Sequence, residues 1–268
     1  MSRANTIDPE YLKQEYRDAS NLNARIRLHQ RFSLNPYGWL RWVFDQLDLP
    51  THCRILELGC GPGSLWLENL YRIPEGWEVL LTDFSPGMLG QAQQNLSGKG
   101  GFNYQIVDAQ QTPLPFEQHA FDVVIANHML YYITDKPALL AEIQRVLLPG
   151  GHFYATTVGE RHLAELVDLI TRFDAELAGW GAGTNPFTLE NGAELIARFF
   201  PDVSLSRYKD GLAVTELEPL LAYILSSELE LAGERIEQFR KYLEGEFELL
   251  GGIVRITKDS GIFIAHKQ

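Results

Sequence analysis

Cysteine is scarce in this chain: Cys53 and Cys60 are the two among 268 residues. They lie on one predicted strand and its exit loop. Seven strand residues span about 23 Å at roughly 3.3 Å each, far beyond the ~7 Å between Cα atoms that a disulfide tolerates. No bridge is expected, and two free thiols suit a reducing, cytoplasmic setting. Basic residues are also few, 23 Lys and Arg against 35 Asp and Glu, for a net charge of −12. Proteins that track nucleic-acid backbones carry a basic stripe. Here only Lys13, Arg17, Arg25, Arg27 and Arg31 gather, so nucleic acid is disfavoured as a partner. No run of about 18 apolar residues is present to span a bilayer, and the first twenty residues are polar, unlike a secretory signal. No membrane partner is expected. Internal repeats and low-complexity segments are missing as well.

What is present is alternation. Short apolar runs at 53–60, 77–84, 102–109, 121–130 and 152–158 read as strands, separated by helical patterns at 63–73, 85–96 and 136–147. Strand–helix alternation predicts an α/β fold, a doubly wound parallel sheet with helices on both faces. An amphipathic helix at 35–50 precedes it. Beyond residue 160 the pattern changes: a helix over 161–181, a loop and helix over 183–200, and a strand-like 203–214 broken near Asp210-Gly211. Two more helices and a closing hairpin around Lys258–Gly261 follow. The expectation is one domain of 1–268. It has a helical lid at 1–50, a ligand-binding core at 51–160, a helical cap inserted at 161–200, and the rest of the sheet with its helices at 201–268. The cap leaves from the carboxyl end of a strand, where open α/β sheets bind ligands.

Residues 55–64, ILELGCGPGS, join an acid to a glycine turn. As a dinucleotide fingerprint the stretch is imperfect, because Ser64 stands where the third glycine belongs. As a phosphate-cradling loop it lacks the Lys-Ser/Thr pair. Glu57 beside Gly59, Gly61 and Gly63 disfavours a pyrophosphate and favours an ammonium. Asp83 ends the second strand about 20 residues on, where a carboxylate accepts from ribose hydroxyls. Asp108 ends the third, placed to accept from an exocyclic amine. A ribose, an amino-bearing base and a cationic end without phosphate describe S-adenosylmethionine.

The stretches ILELGCGPGS, LLTDFSPGML, VDAQQTPLPF, FDVVIANHMLYYI and RVLLPGGHFYAT resemble, in order and spacing, the motifs of class I S-adenosylmethionine-dependent methyltransferases of the small-molecule, type 11 kind. The resemblance covers about residues 52–158. It implies a Rossmann-like seven-stranded sheet with an antiparallel final strand, which GIFIAHK (261–267) suits. It implies methyl transfer to a small acceptor, with S-adenosylhomocysteine as product. Gly59, Gly61 and Gly63 would line the methionine part, with Glu57 and Cys60 in the same loop. Asp83 would hold the ribose, with Ser85 close by. Phe84 and Met88 would border the adenine, and Asp108, Ala109 and Gln110 would meet its edge. Asn127 would face the sulfonium and amino-acid end.

An oxygen or carbon acceptor calls for a base. His128 and Tyr131, with Tyr132 beside them, follow the fourth strand and are the catalytic candidates. No Asn/Asp-Pro-Pro-Tyr/Phe motif, Pro-Cys nucleophile or metal-ligand cluster is found. Tyr16 and Arg27 of the lid are expected to reach the cofactor carboxylate, with His29 and Phe32 at the acceptor pocket. Trp39, Tyr131, Trp180 and Phe187 would supply an apolar wall. An RNA or tRNA methyltransferase and a noncatalytic S-adenosylmethionine-binding regulator are the alternatives. Oligomeric state is left open.

Overall fold

The computed structural model describes residues 14, 16–17, 20–177, 187–226 and 231–268. Trp180, the first lid residues and part of the expected cap lie outside the described residues. The elements run α1 (Ser20–Phe32), α2 (Trp39–Asp45), β1 (His52–Leu58), α3 (Ser64–Glu68), β2 (Gly76–Asp83), α4 (Pro86–Asn95), β3 (Phe102–Ile106), β4 (Phe121–Asn127) and α5 (Lys136–Val146). After these come β5 (Leu147–Val158), α6 (Ala164–Phe173), α7 (Gly192–Ala197), β6 (Asp202–Val214), α8 (Leu217–Leu225), α9 (Glu234–Leu249) and β7 (Val254–His266).

Seven strands form one sheet in the order β3-β2-β1-β4-β5-β7-β6. β7 runs antiparallel to both its neighbours, and the pairs among β1 to β5 are parallel. This is the expected α/β architecture with its antiparallel final strand. Neighbouring residues alternate between the faces, as the two-residue period of a strand requires. Ile55, Val79 and Val123 pack with Phe44, Trp66 and Leu89 on one side. Leu56, Val124 and Phe153 pack with Leu139, Ile143 and Phe200 on the other. Both faces are covered, which is why these strands read as unbroken apolar runs.

Two expectations about the C-terminal part are corrected. β6 does not break at Asp210-Gly211, and 254–266 is one strand rather than a hairpin. β5 pairs with β7 only from His152↔His266 to Val158↔Ser260, whereas β6 follows β7 to Val214↔Val254. The last turns of pairing therefore form a two-stranded ribbon that continues past the carboxyl end of β5. Such a ribbon needs no apolar face against the sheet, so its polar residues imitate a turn. Gly261 serves close packing instead: a Cβ there would lie 2.6 Å from the Ser206 carbonyl oxygen.

The ribbon carries a third core. Leu212, Val214, Val254 and Ile256 pack against Leu28 and Phe32 of α1, Leu166 and Ile170 of α6, Leu220 of α8 and Phe239 of α9. The segment 161–200 thus divides. α6 joins this helical group, while Phe187, Leu189, Ile196 and Phe200 pack under the sheet with Phe263.

Candidate functional site

One cavity of about 1160 Å³ opens at the carboxyl ends of β1 to β5 and extends under the ribbon and α1. Single-ligand pockets run to roughly 1,000 Å³, so two small molecules fit side by side. Glu57, Gly59, Cys60, Gly61, Asp83, Phe84 and Met88 line it, as do Asp108, Ala109, Gln110 and Asn127. His128, Tyr131 and Tyr16 complete the expected residues on its wall.

The glycine loop leaves β1 with positive φ at Gly59 and Gly61, 66° and 55°. A side chain at Gly59 would stand 3.1 Å from Met129 Cβ, so the close approach demands glycine. Asp83 fixes the loop to β2: one carboxylate oxygen accepts from Gly61 N–H and the other from Ser85 N–H, each at 2.9 Å. Burial raises its pKa, against these backbone donors.

Glu57 is 2% exposed. Its carboxylate accepts from Trp66 Nε1 at 2.5 Å and Asn127 Nδ2 at 3.0 Å, and Thr156 Oγ1 donates to Asn127 Oδ1 at 3.2 Å. Burial pushes the Glu57 carboxyl up to about 7, and the hydrogen bonds offset only part of this. No cation among the described residues pairs with it. A buried carboxylate without a cation, facing a cavity, is the acceptor that an ammonium completes. Trp66 and Thr156 orient this pair.

Asp108 caps its own turn: its carboxylate accepts from Gln110 N–H at 3.0 Å and Gln111 Nε2 at 3.2 Å. Gln110 is spent on bracing. It donates to Tyr132 O at 2.7 Å and accepts from Thr134 N–H at 2.9 Å. Cys60 donates to Gly61 O, and burial beside Glu57 and Asp83 drives its thiol pKa upward, which excludes a thiolate.

Three expected residues fall off the wall. Gly63 starts α3 in the left-handed region, and a Cβ there would meet Leu96 and Ala92, so it spaces helices rather than touching a ligand. Ser85 caps α4, accepting from Met88 N–H at 3.2 Å and donating to Tyr16 O at 2.7 Å. Arg27 is exposed and lines a separate recess with Glu216 and Glu218. Leu22, Arg25, Ile26 and His29 carry the cavity face of α1 instead, at helical spacing. Among the lid and wall residues, Trp39 and His29 line the cavity, whereas Phe32 and Phe187 are core.

Beyond Asn127 the wall changes character. His128 adopts φ 49°, a strained value for a non-glycine residue. Its N–H donates to Thr156 O and Thr156 Oγ1. Its ring touches Trp39 at 5.4 Å between centroids and Tyr131 at 6.4 Å. His29 stacks on His162 at 6.2 Å and meets Tyr223 edge-on at 5.6 Å. From the ribbon comes Lys258, its side chain 8% exposed, bonded to the fully buried Asp210. Burial and then Lys258 lower His128 to about 4 and His29 to about 3, and burial with the same neighbours takes His162 well down. All three imidazoles are neutral at pH 7. Burial raises the Tyr131 phenol. His162, Arg25, Tyr223, Lys258 and Asp210 are not readable as site residues in the sequence.

Among the described residues no group of three or more His, Cys, Asp or Glu is set to hold a metal ion, and no helix is long and apolar enough to cross a membrane.

Residues 56–155 match the family model described as a methyltransferase domain. A malonyl-[acyl-carrier protein] O-methyltransferase of Serratia marcescens is 31% identical over 176 residues, covering 61% of this chain and 65% of that protein. The ubiquinone/menaquinone biosynthesis C-methyltransferase UbiE of Pectobacterium carotovorum is 33% identical over 114 residues, 42% of this chain and 45% of that one. The chain thus spans less than two thirds of the length of these relatives. Among solved structures, a Haemonchus contortus phosphoethanolamine N-methyltransferase 2 in complex with S-adenosyl-L-methionine superposes with a TM-score of 0.60 and 19% identity. That match covers 96% of this chain and 59% of that one. Such low identity speaks for the fold. Domain, motifs and sheet order together make residues 56–155 a class I S-adenosylmethionine-dependent methyltransferase core, with S-adenosylmethionine the cofactor they support.

Proposed function

We propose that the protein transfers a methyl group from S-adenosylmethionine to a small-molecule acceptor held in the same cavity. The observation that carries this is the cation-free, buried Glu57–Asn127 pair beside a glycine loop that Asp83 holds in place. In this reading Asp83 receives the ribose hydroxyls, and Asp108 with the Ala109 N–H meets the adenine edge between Phe84 and Met88. Gly59 and Gly61 lie along the methionine chain, and Glu57 takes the ammonium. Tyr16, hydrogen-bonded through its hydroxyl to the Tyr132 hydroxyl, closes the lid side.

When bound, the cofactor supplies a methyl already activated on a sulfonium. The protein's task is then alignment and exclusion of water. The cavity wall does both, with Trp39, Tyr131 and Tyr223 shielding the far side. His128 is neutral and able to take a proton. At about 4, however, it is a weak base, because catalytic bases work best with a pKa near ambient pH. It suits an acceptor that is itself acidic, not an alcohol. A small-molecule acceptor accords with a recessed, aromatic-lined chamber and the acidic chain.

Calorimetric titration with S-adenosylhomocysteine and with NAD tests the reading. The expected result is binding of the first and not the second; the reverse overturns it. Salt-sensitive RNA binding would favour a polymer acceptor.

A further inference from the structure

We propose that the chamber beyond Asn127 takes an acceptor carrying an acidic oxygen — a phenol, enol or carboxylate — received as an oxyanion by Lys258. This rests on the methyltransferase reading for the word acceptor, but not for the binding chemistry.

Lys258 spends one of its three N–H donors on Asp210, and the residue lines the chamber. Asp210 is fully buried. Its carboxylate is also held by Ser33 Oγ at 2.7 Å, Asn35 N–H at 2.9 Å and Gly211 N–H at 2.8 Å. The pair is therefore a fixed dipole with its positive pole toward the chamber. Side chains buried this deeply are held in place, so the cation is pre-organised for an anion and loses little entropy on binding.

The surroundings agree. His29, His128 and His162 each feel the Lys258 charge, and His29 Nδ1 is buried with no hydrogen-bond partner. An unpaired buried polar atom beside a cation costs free energy until a ligand oxygen or hydroxyl reaches it. Tyr208 lies under the ammonium, 5.8 Å from ring centroid to Nζ. Arg25 adds a second cation to the wall, donating to Ser226 O. The acids are elsewhere. Glu57, Asp83 and Asp108 stand at the ends of β1 to β3, Glu68 pairs with Arg41 at 2.7 Å, and Glu160 is exposed. Trp39, Tyr131 and Tyr223 supply flat apolar walls, which favour an aromatic or conjugated body on the acidic oxygen.

The test uses 4-nitrophenol, which is coloured as the phenolate and nearly colourless as the phenol. Titrated in the full-length protein with S-adenosylhomocysteine, the bound dye should ionise about one pKa unit lower than free, a tenfold gain in ionisation constant. Benzoate should displace it at least tenfold better than benzamide. A bound dye with unshifted or raised pKa overturns the proposal. So does dye that fails to bind while S-adenosylhomocysteine binds, or equal displacement by the amide. In the double variant Lys258→Met with Asp210→Asn, which leaves no buried charge stranded, the shift should vanish with cofactor affinity unchanged. Retention of the shift there refutes the role of Lys258. The wild-type displacement pair needs no variant, so the proposal stays decidable if the variant does not fold. Repeating the dye titration without S-adenosylhomocysteine separates the two readings. A shifted dye in a protein that binds no S-adenosylhomocysteine sinks the methyltransferase reading and leaves the oxyanion site standing.

Discussion

On the glycine-loop side of the cavity, the polar groups come from strand ends and the turns after them, between residues 57 and 127. On the ribbon side, Arg25, His29, His128, His162 and Lys258 arrive from separate parts of the chain. The first side collects carboxylates and backbone donors; the second collects imidazoles and ammonium. In the proposed reading, the division means that the two ligands are recognised by opposite electrostatics. A cationic, hydroxyl-rich molecule suits one half, an acidic one the other. It also means that the halves are separable by mutation and by pH.

The largest expected effect lies on the ribbon side. His128 titrates near 4 in the folded protein and near 6.5 when unfolded. A folded pKa depressed below the unfolded one means the unfolded chain binds more protons in this window. Stability is therefore fully present above about pH 6.5 and falls as the pH drops toward 4, by of order 3 kcal/mol from this residue. His29 and His162 act in the same direction. Denaturant unfolding across pH 4–7 measures this, and His128→Asn should flatten the curve. Three imidazoles together outweigh the opposing shift of Glu57, so a flat curve in the wild type contradicts neutral, buried imidazoles.

On the glycine-loop side, Asp83→Ala removes the anchor of Gly61 as well as the ribose contact proposed for it. S-adenosylhomocysteine should bind about ten- to a hundredfold more weakly, for a loss of about 1–3 kcal/mol, while 4-nitrophenol binding is unchanged. Loss of both would mean that the halves are one unit.

Glu57 acts with opposite sign and with a shift as large as that of His128, and its ligand-linked signal is the smaller one. Its folded pKa of about 7 is raised above the unfolded value, so its contribution to apo stability is present below about pH 4.5 and lost as the pH rises through 7. A bound ammonium favours the carboxylate. Binding of S-adenosylhomocysteine at pH 7 should then release about half a proton, measurable by titration in buffers of different ionisation enthalpy. Glu57→Gln should abolish the release. Proton uptake instead would exclude the ammonium assignment.

How legible each half was in the sequence follows from the same contrast. Asp83 and Asp108 were readable because a carboxylate at a strand end has a fixed place in α/β sheets, whatever the rest of the chain does. Lys258 and Asp210 were hidden because a ribbon free of the sheet keeps polar residues, and their composition is that of a turn. Arg25 was missed for Arg27 because α1, SNLNARIRLHQRF, has no clean apolar stripe. Residues two apart on a helix face nearly opposite ways. Thr156 carried no signal of its own: its hydrogen bonds to Asn127 and His128 exist only once β4 and β5 pair.

The smallest effect concerns the segment over the glycine-loop side. A Cβ at Gly87 would lie 2.1 Å from the Arg17 carbonyl oxygen, a contact no side chain tolerates. Ser85 Oγ and the Tyr132 hydroxyl hold the neighbouring Tyr16 in the same place. Gly87→Ala sets two effects against each other. Within α4, alanine favours the helix by up to about 1 kcal/mol over glycine. The clash instead falls on residues 16–17, which lie in a turn outside any helix or strand and yield before the helix does. The variant should keep or slightly raise the denaturant midpoint of the core, cleave faster with trypsin after Arg17, and bind S-adenosylhomocysteine a few-fold more weakly. Unchanged cleavage and affinity would show that this segment does not cover the cofactor half.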